Sequence, residues 1–330
     1  MEVAIIIVVS IILLTLILCF VTYYMAFYSP KKRVSNVYDI PKCDNPEVTN
    51  AKIKSMIDDM LSRDFEEVYI TSYDGKKLYG RFYNFYDGAP ILLQFHGYRG
   101  SAERDMCGGN KVAYEKGYNC LIVDQRSHGK SDGVTITFGI KERHDVISWV
   151  EYLNKRFNNN CLITISGVSM GGATVLMASD LNLPKNVIGI LADCPYSSPK
   201  DIIKKVVKEM GFPPSITYPF IYLGALIYGH VNLHKTSAEK ALKNCKIPVL
   251  IVHGEEDKLV PCQMSTKLQQ IKPDFVRVEI FKNAGHGLSF IVDTDYYLQL
   301  EDEFWKYCIK NYQDKKGENL WAKNHHQRHF

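Results

Sequence analysis

The chain has 330 residues, of which 46% are hydrophobic and 23% are charged, so its composition excludes a disordered or collagen-like protein. Lys and Arg number 40 against 36 Asp and Glu, and the formal net charge of +4 is too small to predict nucleic-acid binding. The nine cysteines form no C-x-x-C pair and predict neither a zinc site nor a compact disulfide framework, so reduced thiols are the simplest interpretation.

Residues 1–30 are predicted to form a membrane anchor. The stretch 3–21 contains two polar residues and no charge, and about 20 apolar residues suffice to cross the hydrocarbon layer. A cleaved signal peptide is the alternative, but it would have basic residues before a shorter apolar core and small residues after it. The basic run 31–33 follows the apolar stretch, so the positive-inside bias predicts a single-pass protein with its catalytic domain in the cytoplasm.

Residues 31–65 are predicted to be a polar stalk followed by an amphipathic helix over 51–63, where apolar residues recur at steps of three and four. We expect this helix to dock on the domain that follows. That domain is predicted over 66–313, with a polar tail over 314–330.

Short apolar runs alternate with helical patterns from residue 66 onward. A hairpin is predicted over 66–83 around Asp74-Gly75. Six apolar runs bounded by turn residues follow it: 91–95, 119–124, 162–166, 187–193, 248–252 and 276–281. Such runs with helices between them predict an α/β protein, in which an eight-stranded, mostly parallel sheet is covered by helices on both faces.

Three helical regions are predicted within this domain. Helices are expected over 139–157 and, as the last element, over about 292–313. The segment 197–246 is too long for one crossover helix and predicts a small helical cap. Its apolar stretch 211–229 is interpreted either as a lid lining an acyl pocket or as packing between cap and core.

A nucleophile is predicted in the segment Gly167-Val168-Ser169-Met170-Gly171-Gly172, between the apolar run 162–166 and a helix beginning near Ala173. A sharp turn from strand to helix leaves no room for Cβ atoms on either side of its central residue, and Gly occupies both flanking positions. Such a turn presents Ser169 Oγ at the top of the sheet. The alternative is a glycine-rich turn with no catalytic role.

An acid and a base follow the nucleophile at the ends of two later strands. The run 248–252 leads into a carboxylate cluster, in which Asp257 is the preferred acid and Glu255 and Glu256 are interpreted as solvated turn residues. Asp193, at the end of an earlier strand, is the alternative acid. The run 276–281 leads into a glycine loop that carries His286. The order Ser169, Asp257, His286 predicts a catalytic triad.

Two backbone amides are predicted to form an oxyanion hole. The run 91–95 ends in His96-Gly97-Tyr98-Arg99-Gly100, where Gly97 allows the Tyr98 amide to face the nucleophile. Met170, directly after the nucleophile, supplies the second amide. His96 is interpreted as an anchor for this loop.

The sequence resembles the α/β-hydrolase superfamily over residues 66–313, and within it the bacterial, membrane-anchored group related to serine-aminopeptidase-like hydrolases and acylglycerol lipases. Besides the triad, the segment Asp124-Gln125-Arg126-Ser127-His128-Gly129-Lys130-Ser131 is similar to the Asp-x-Arg-x-x-Gly-x-Ser turn of that superfamily. The resemblance implies that Asp124 and Arg126 have structural roles.

These features predict a serine hydrolase that cleaves carboxyl esters, including lipid-derived acyl esters, through an acyl-enzyme. A peptidase or aminopeptidase-like hydrolase, or an acyltransferase or thioesterase, would use the same triad and is the alternative. A catalytically inactive binding module is disfavoured because all three triad positions are filled. We expect no cofactor and no metal. The expected partners are a small-molecule or lipid acyl substrate and the membrane, and the oligomeric state is left open.

Overall fold

A computed structural model of the chain describes residues 1–30, 37–38 and 46–316. Most of the predicted stalk and nearly all of the predicted polar tail lie outside these residues. The tail prediction began at residue 314, but the last helix continues to Lys316.

The core of the fold is one eight-stranded sheet with the order β1-β2-β4-β3-β5-β6-β7-β8. The strands are β1 Glu66–Thr71, β2 Lys77–Tyr83, β3 Ile91–Phe95, β4 Asn119–Asp124, β5 Ile163–Val168, β6 Val187–Asp193, β7 Val249–Gly254 and β8 Val276–Phe281. The pairs β1–β2 and β2–β4 are antiparallel and all other neighbours are parallel. The predicted mostly parallel sheet of eight strands is therefore confirmed.

Eleven helices are found within the described residues. They are α1 Glu2–Ala26, α2 Pro46–Leu61, α3 Ala102–Lys116, α4 Glu142–Arg156, α5 Met170–Ala178, α6 Pro199–Glu209, α7 Pro214–Ile227, α8 Ala238–Leu242, α9 Gln263–Ile271, α10 Ser289–Val292 and α11 Thr294–Lys316. The helix predicted over 139–157 begins three residues later, at Glu142. The helix predicted over about 292–313 is α11, which a short α10 precedes.

Helices cover both faces of the sheet. On one face Trp149 and Leu153 of α4 pack with Ile165 of β5. On the other face Met106 of α3 packs with Trp305 of α11. Parallel strands that are apolar on both faces need such covering, and it leaves the carboxyl ends of the strands at one edge for the functional loops.

The amphipathic helix α2 docks on the domain, as expected. Ile53, Ile57 and Met60 face inward at steps of three and four and are buried in the same cluster as Met106. The Lys52 ammonium donates to the Ile291 carbonyl oxygen at 3.4 Å. This docking brings α2 beside α10, next to the loop that carries His286.

The helix α1 is long and apolar enough to cross a membrane. Residues 1–14 are exposed, whereas Cys19, Tyr23 and Phe27 near its end are buried. After the helix, the Phe27 carbonyl oxygen accepts from the Ile136 amide at 2.8 Å. The first part of α1 therefore projects from the domain while its last turns are packed into it.

Candidate active site

The loop between β5 and α5 holds Ser169 in a strained conformation. Its φ of 55° and ψ of −114° lie outside the regions that non-glycine residues ordinarily occupy. A Cβ on Gly167 would lie 2.4 Å from the Gly171 carbonyl carbon, and a Cβ on Gly171 would lie 1.9 Å from the Phe95 carbonyl oxygen. Glycine is required at both positions, so the sharp turn expected from the sequence is present.

A chain of hydrogen bonds links the three predicted triad residues. His286 Nδ1 lies 2.6 Å from Asp257 Oδ2, and because a carboxylate only accepts, Nδ1 carries the proton. The opposite nitrogen, Nε2, lies 2.9 Å from Ser169 Oγ and accepts its hydrogen bond. The structure therefore brings Ser169, His286 and Asp257 together in the order that a proton relay needs.

The Asp257 side chain is buried and has two imidazole partners. His253 Nε2 donates to Asp257 Oδ2 at 3.1 Å, and His253 Nδ1 accepts from the Ser265 hydroxyl at 2.7 Å. Burial raises the pKa of Asp257. The hydrogen bonds from His253 and His286, the charge interaction with His286 and the hydrogen bond from the Val260 amide lower it, and together they hold the pKa well below its usual range. The carboxyl group therefore stays ionised beside the His286 ring.

Sequence analysis did not identify His253 as a partner of Asp257. A histidine at the end of a strand, four residues before the predicted acid, was the available signal. The other acids are placed as expected. Glu255 and Glu256 are exposed, and Asp257, not Asp193, accepts the hydrogen bond from His286 Nδ1.

The loop after β3 lies directly beside the nucleophile. A Cβ on Gly97 would be 3.5 Å from Ser169 Cβ. The Gly97 amide donates to Asp105 Oδ2 at 2.8 Å, and His96 Nδ1 donates to the Gly97 carbonyl oxygen at 2.8 Å. These bonds fix the loop that carries the Tyr98 amide, and His96 anchors it as interpreted from the sequence.

Met170 is the first residue of α5. The amides in the first turn of a helix have no partner within their own helix and lie at its positive end. The Met170 amide is therefore suited to a developing negative charge next to Ser169.

A cavity of about 650 Å³ opens at Ser169 and His286. Its apolar wall comes from α2 and α10 and includes Ile53, Met56 and Phe290. Within the described chain, no residue of the predicted cap over 197–246 lines this cavity. Of the two interpretations of the stretch 211–229, the lid is therefore wrong for this cavity, and α7 packs against other parts of the protein.

The floor of the cavity holds two buried carboxyl groups. Burial raises the pKa of Asp193 to about 6 and that of Glu301 to about 7. Asp193 Oδ1 has no hydrogen-bond partner among the described residues, and Glu301 Oε1 accepts from the Trp305 indole at 3.4 Å. The cavity lining therefore includes two carboxyl groups that are shielded from solvent.

Cys194 lies next to the imidazole, with its Sγ 3.9 Å from His286 Nε2. In the described chain, Cys194, Asp257 and His286 form the one group of possible metal ligands, with ligand atoms within 4.8 Å of one another. Both His286 nitrogens already have partners, Ser169 and Asp257. The geometry therefore fits proton transfer better than metal ligation.

The turn over 124–131 is held by its own charged groups. The Asp124 carboxylate accepts from the Lys130 amide at 2.8 Å. The fully buried Arg126 guanidinium forms a bidentate pair with Asp145, with both nitrogen–oxygen distances at 2.6 Å. Both side chains therefore support the loop, in agreement with the structural roles that the resemblance implies.

Known proteins resemble this chain in sequence and in fold. The family model for X-Pro dipeptidyl-peptidase (S15 family) matches residues 85–209. The uncharacterized protein YqkD of Bacillus subtilis is 26% identical over 57% of this chain and 62% of its own length. The lysophosphatidylserine lipase ABHD12 of Danio rerio is 22% identical over 63% of this chain and 52% of its own length. The chain thus spans less than two thirds of either relative.

Among solved structures, the esterase Pf2001 of Pyrococcus furiosus superposes with a TM-score of 0.64 at 22% identity, over 85% of this chain and 98% of that one. The fold is therefore that of the α/β-hydrolases, as the sequence predicts.

Proposed function

We propose that the protein is a membrane-anchored serine hydrolase that cleaves carboxyl esters. The observation that carries this proposal is the continuous hydrogen-bonded path from Ser169 Oγ through His286 to the buried Asp257 carboxylate. A hydroxyl in a strained turn, an imidazole that accepts its proton and an ionised acid behind that imidazole are the parts of nucleophilic acyl transfer.

The proposed reaction has two steps. Ser169 Oγ attacks the ester carbonyl carbon while His286 Nε2 takes its proton, and the Tyr98 and Met170 amides stabilise the oxyanion. His286 then returns the proton to the departing alcohol, which leaves an acyl-enzyme. Water attacks the acyl-enzyme with His286 as base, and the acid is released as Ser169 regains its proton. Asp257 stabilises the imidazolium in both steps.

The apolar wall of the cavity supports an acyl substrate. Ile53, Met56 and Phe290 provide a surface for a hydrocarbon chain beside Ser169. The names of the similar proteins, an esterase and a lysophosphatidylserine lipase, agree with this class. Amide or thioester cleavage and transfer to another acceptor use the same residues, and the match to a peptidase family over 85–209 keeps the amide alternative open.

We also propose that α1 is a retained single-pass anchor. Tyr23 and Phe27 are buried against the domain, so removal of residues 1–30 as a signal peptide would expose part of its core. The basic run 31–33 follows the apolar stretch and favours a cytoplasmic catalytic domain.

Full-length protein in detergent micelles, given a chain-length series of p-nitrophenyl esters and a parallel series of aminoacyl anilides, tests this function. We expect ester turnover that depends on acyl length and falls by about 10⁴ or more in Ser169→Ala. Ser62→Ala, which removes an exposed hydroxyl at the end of α2, is the matched control. Turnover of Ser169→Ala within tenfold of the unchanged protein, or cleavage of anilides alone, would overturn the ester assignment. Added alcohols or amines would reveal acyl transfer as a new product.

A further inference from the structure

The last turns of α1 pack along the cap helix α7. The Thr22 hydroxyl donates to the Phe220 carbonyl oxygen at 3.1 Å. The Tyr228 hydroxyl donates to the Leu16 carbonyl oxygen at 3.1 Å. The earlier residue of α1, Leu16, contacts the later residue of the partner segment, Tyr228, so the two helices are antiparallel.

The backbones of the two helices approach closely where they meet. A Cβ on Gly224 would lie 2.3 Å from the Cys19 carbonyl oxygen, and the neighbouring Ala225 is fully buried. Small residues that allow such an approach are typical of helix pairs inside membranes.

The length of α1 requires part of this contact to lie within a bilayer. A helix rises 1.5 Å per residue, so the exposed residues 1–14 extend only about 20 Å, short of the roughly 30 Å of the hydrocarbon layer. Counting about 20 residues from the charged Glu2 reaches Val21 or Thr22. The α1 residues that contact Gly224 and Tyr228 therefore lie inside the layer when α1 spans it.

The apolar composition of α7 and its flanking residues is suited to a position inside the hydrocarbon layer. The stretch 211–229 contains no Asp, Glu, Lys, Arg or His. Its face directed away from the domain is apolar, with Ile216 64% and Ile227 43% exposed and Leu223 and Phe212 also exposed. An exposed apolar face of this kind marks a contact with a partner or a membrane.

We propose that α7 is inserted into the phospholipid bilayer beside α1, so that lipid covers its exposed apolar face and the cap is a second membrane element that does not cross. This inference rests on the proposed role of α1 as a membrane anchor. It also gives the cap a function other than lining the cavity. Tyr98 lines the cavity and donates to the Ala26 carbonyl oxygen at 2.8 Å, so this insertion holds the cavity next to the membrane surface.

Quenching of introduced tryptophans by lipids brominated in the middle of the acyl chain tests the insertion. Full-length Ile227→Trp is reconstituted in phosphatidylcholine vesicles with and without bromine, and the signal of the parent protein is subtracted. Leu13→Trp in α1 reports on the anchor, and Tyr307→Trp, at an exposed position of α11, is the control outside the membrane. Labelling of each variant by a fluorophosphonate checks that it is folded. If Ile227→Trp is not labelled, Leu223→Trp provides a second site in α7.

We expect bromine to quench Ile227→Trp at least half as strongly as Leu13→Trp, and to leave Tyr307→Trp unchanged. Quenching of Leu13→Trp without quenching at 227 or 223 would overturn the insertion of α7 while leaving the anchor intact. If the protein were then also found to be a dimer, a second copy of the chain, and not lipid, would cover the exposed apolar face of α7. Absence of quenching at all three helix positions would overturn anchor and insertion together. Ester turnover, measured separately, reports on the hydrolase.

Discussion

The Tyr98 hydroxyl donates a hydrogen bond to the Ala26 carbonyl oxygen at 2.8 Å and thereby joins the last turn of α1 to the loop beside Ser169. Arg99 Nη2 donates to the neighbouring Met25 carbonyl oxygen at 2.8 Å. Carbonyl groups in the last turn of a helix lack partners within it and carry partial negative charge, so a hydroxyl and a guanidinium are suitable donors. The end of α1 therefore supports the loop that carries the proposed oxyanion amide.

Loss of this bond should slow catalysis without removing any group that touches the substrate. We expect Tyr98→Phe to lower kcat about threefold to tenfold, since one hydrogen bond contributes about 1 kcal/mol. Tyr86→Phe removes a bond of the same length, from a tyrosine hydroxyl to the Tyr114 carbonyl oxygen, and is the matched control. Equal kcat values for the two variants would contradict a role of α1 in positioning the loop.

The buried end of α1 should contribute to the stability of the whole domain. Phe27 is fully buried, and truncation of a buried Phe costs about 3–5 kcal/mol. We expect Phe27→Ala to lower the melting temperature in detergent micelles by about 10 °C. Leu13→Ala, at an exposed position of the same helix, should leave it unchanged. Similar melting temperatures for both variants would mean that α1 is not built into the fold.

The buried Glu301 carboxyl should make stability depend on pH. Burial raises its pKa to about 7, above the value of about 4.3 for an unfolded chain, so the folded protein holds the proton more tightly. The folded protein is therefore stabilised least by Glu301 above pH 7, where ionisation of this carboxyl group costs about 4 kcal/mol relative to acid pH.

We expect Glu301→Gln to melt several degrees above the unchanged protein at pH 8, with a difference that shrinks toward pH 5. Glu303→Gln changes a half-exposed carboxylate on the same helix and should show no such pH-dependent gain. A gain for Glu301→Gln that is the same at both pH values would refute the proposed ionisation.

The two histidines that contact Asp257 should differ in importance. His286 also bonds to Ser169, whereas His253 reaches the nucleophile only through Asp257. We expect His286→Asn and Asp257→Asn each to lower kcat by about 10⁴. His253→Asn removes a support for the acid, together with the bonds of His253 to Val260 and Ser265, and should lower kcat by about tenfold to a hundredfold. Single-turnover kinetics with a p-nitrophenyl ester compare the three, and equal losses at His253 and His286 would contradict these roles.

The strands and the candidate triad were predictable because local signals specify them. Continuous apolar runs such as 119–124 and 187–193 indicate buried strands of a parallel sheet. Both strands were predicted with their observed bounds. Ser169 and His286 stand in glycine-rich loops at strand ends, where backbone geometry restricts the residues that fit.

The packing of α1 on α7 was not predictable, because the spacing of apolar residues in a helix does not indicate which other helix it contacts. Gly224 lies within the apolar stretch 211–229, and only the structure shows that it allows the close approach to Cys19. The interpretation of 211–229 as a lid was wrong for this cavity. An apolar sequence can line a cavity or pack against another part of the protein, and its composition does not distinguish the two. The contribution of α2 to the cavity likewise depends on contacts distant in sequence.

Mapping a covalent adduct identifies the nucleophile. Full-length protein is treated with a fluorophosphonate, digested and analysed by mass spectrometry. We predict one phosphonylated residue, Ser169, and no adduct in Ser169→Ala. An adduct on a different side chain, or continued ester turnover with Ser169 unmodified, would show that Ser169 is not the nucleophile.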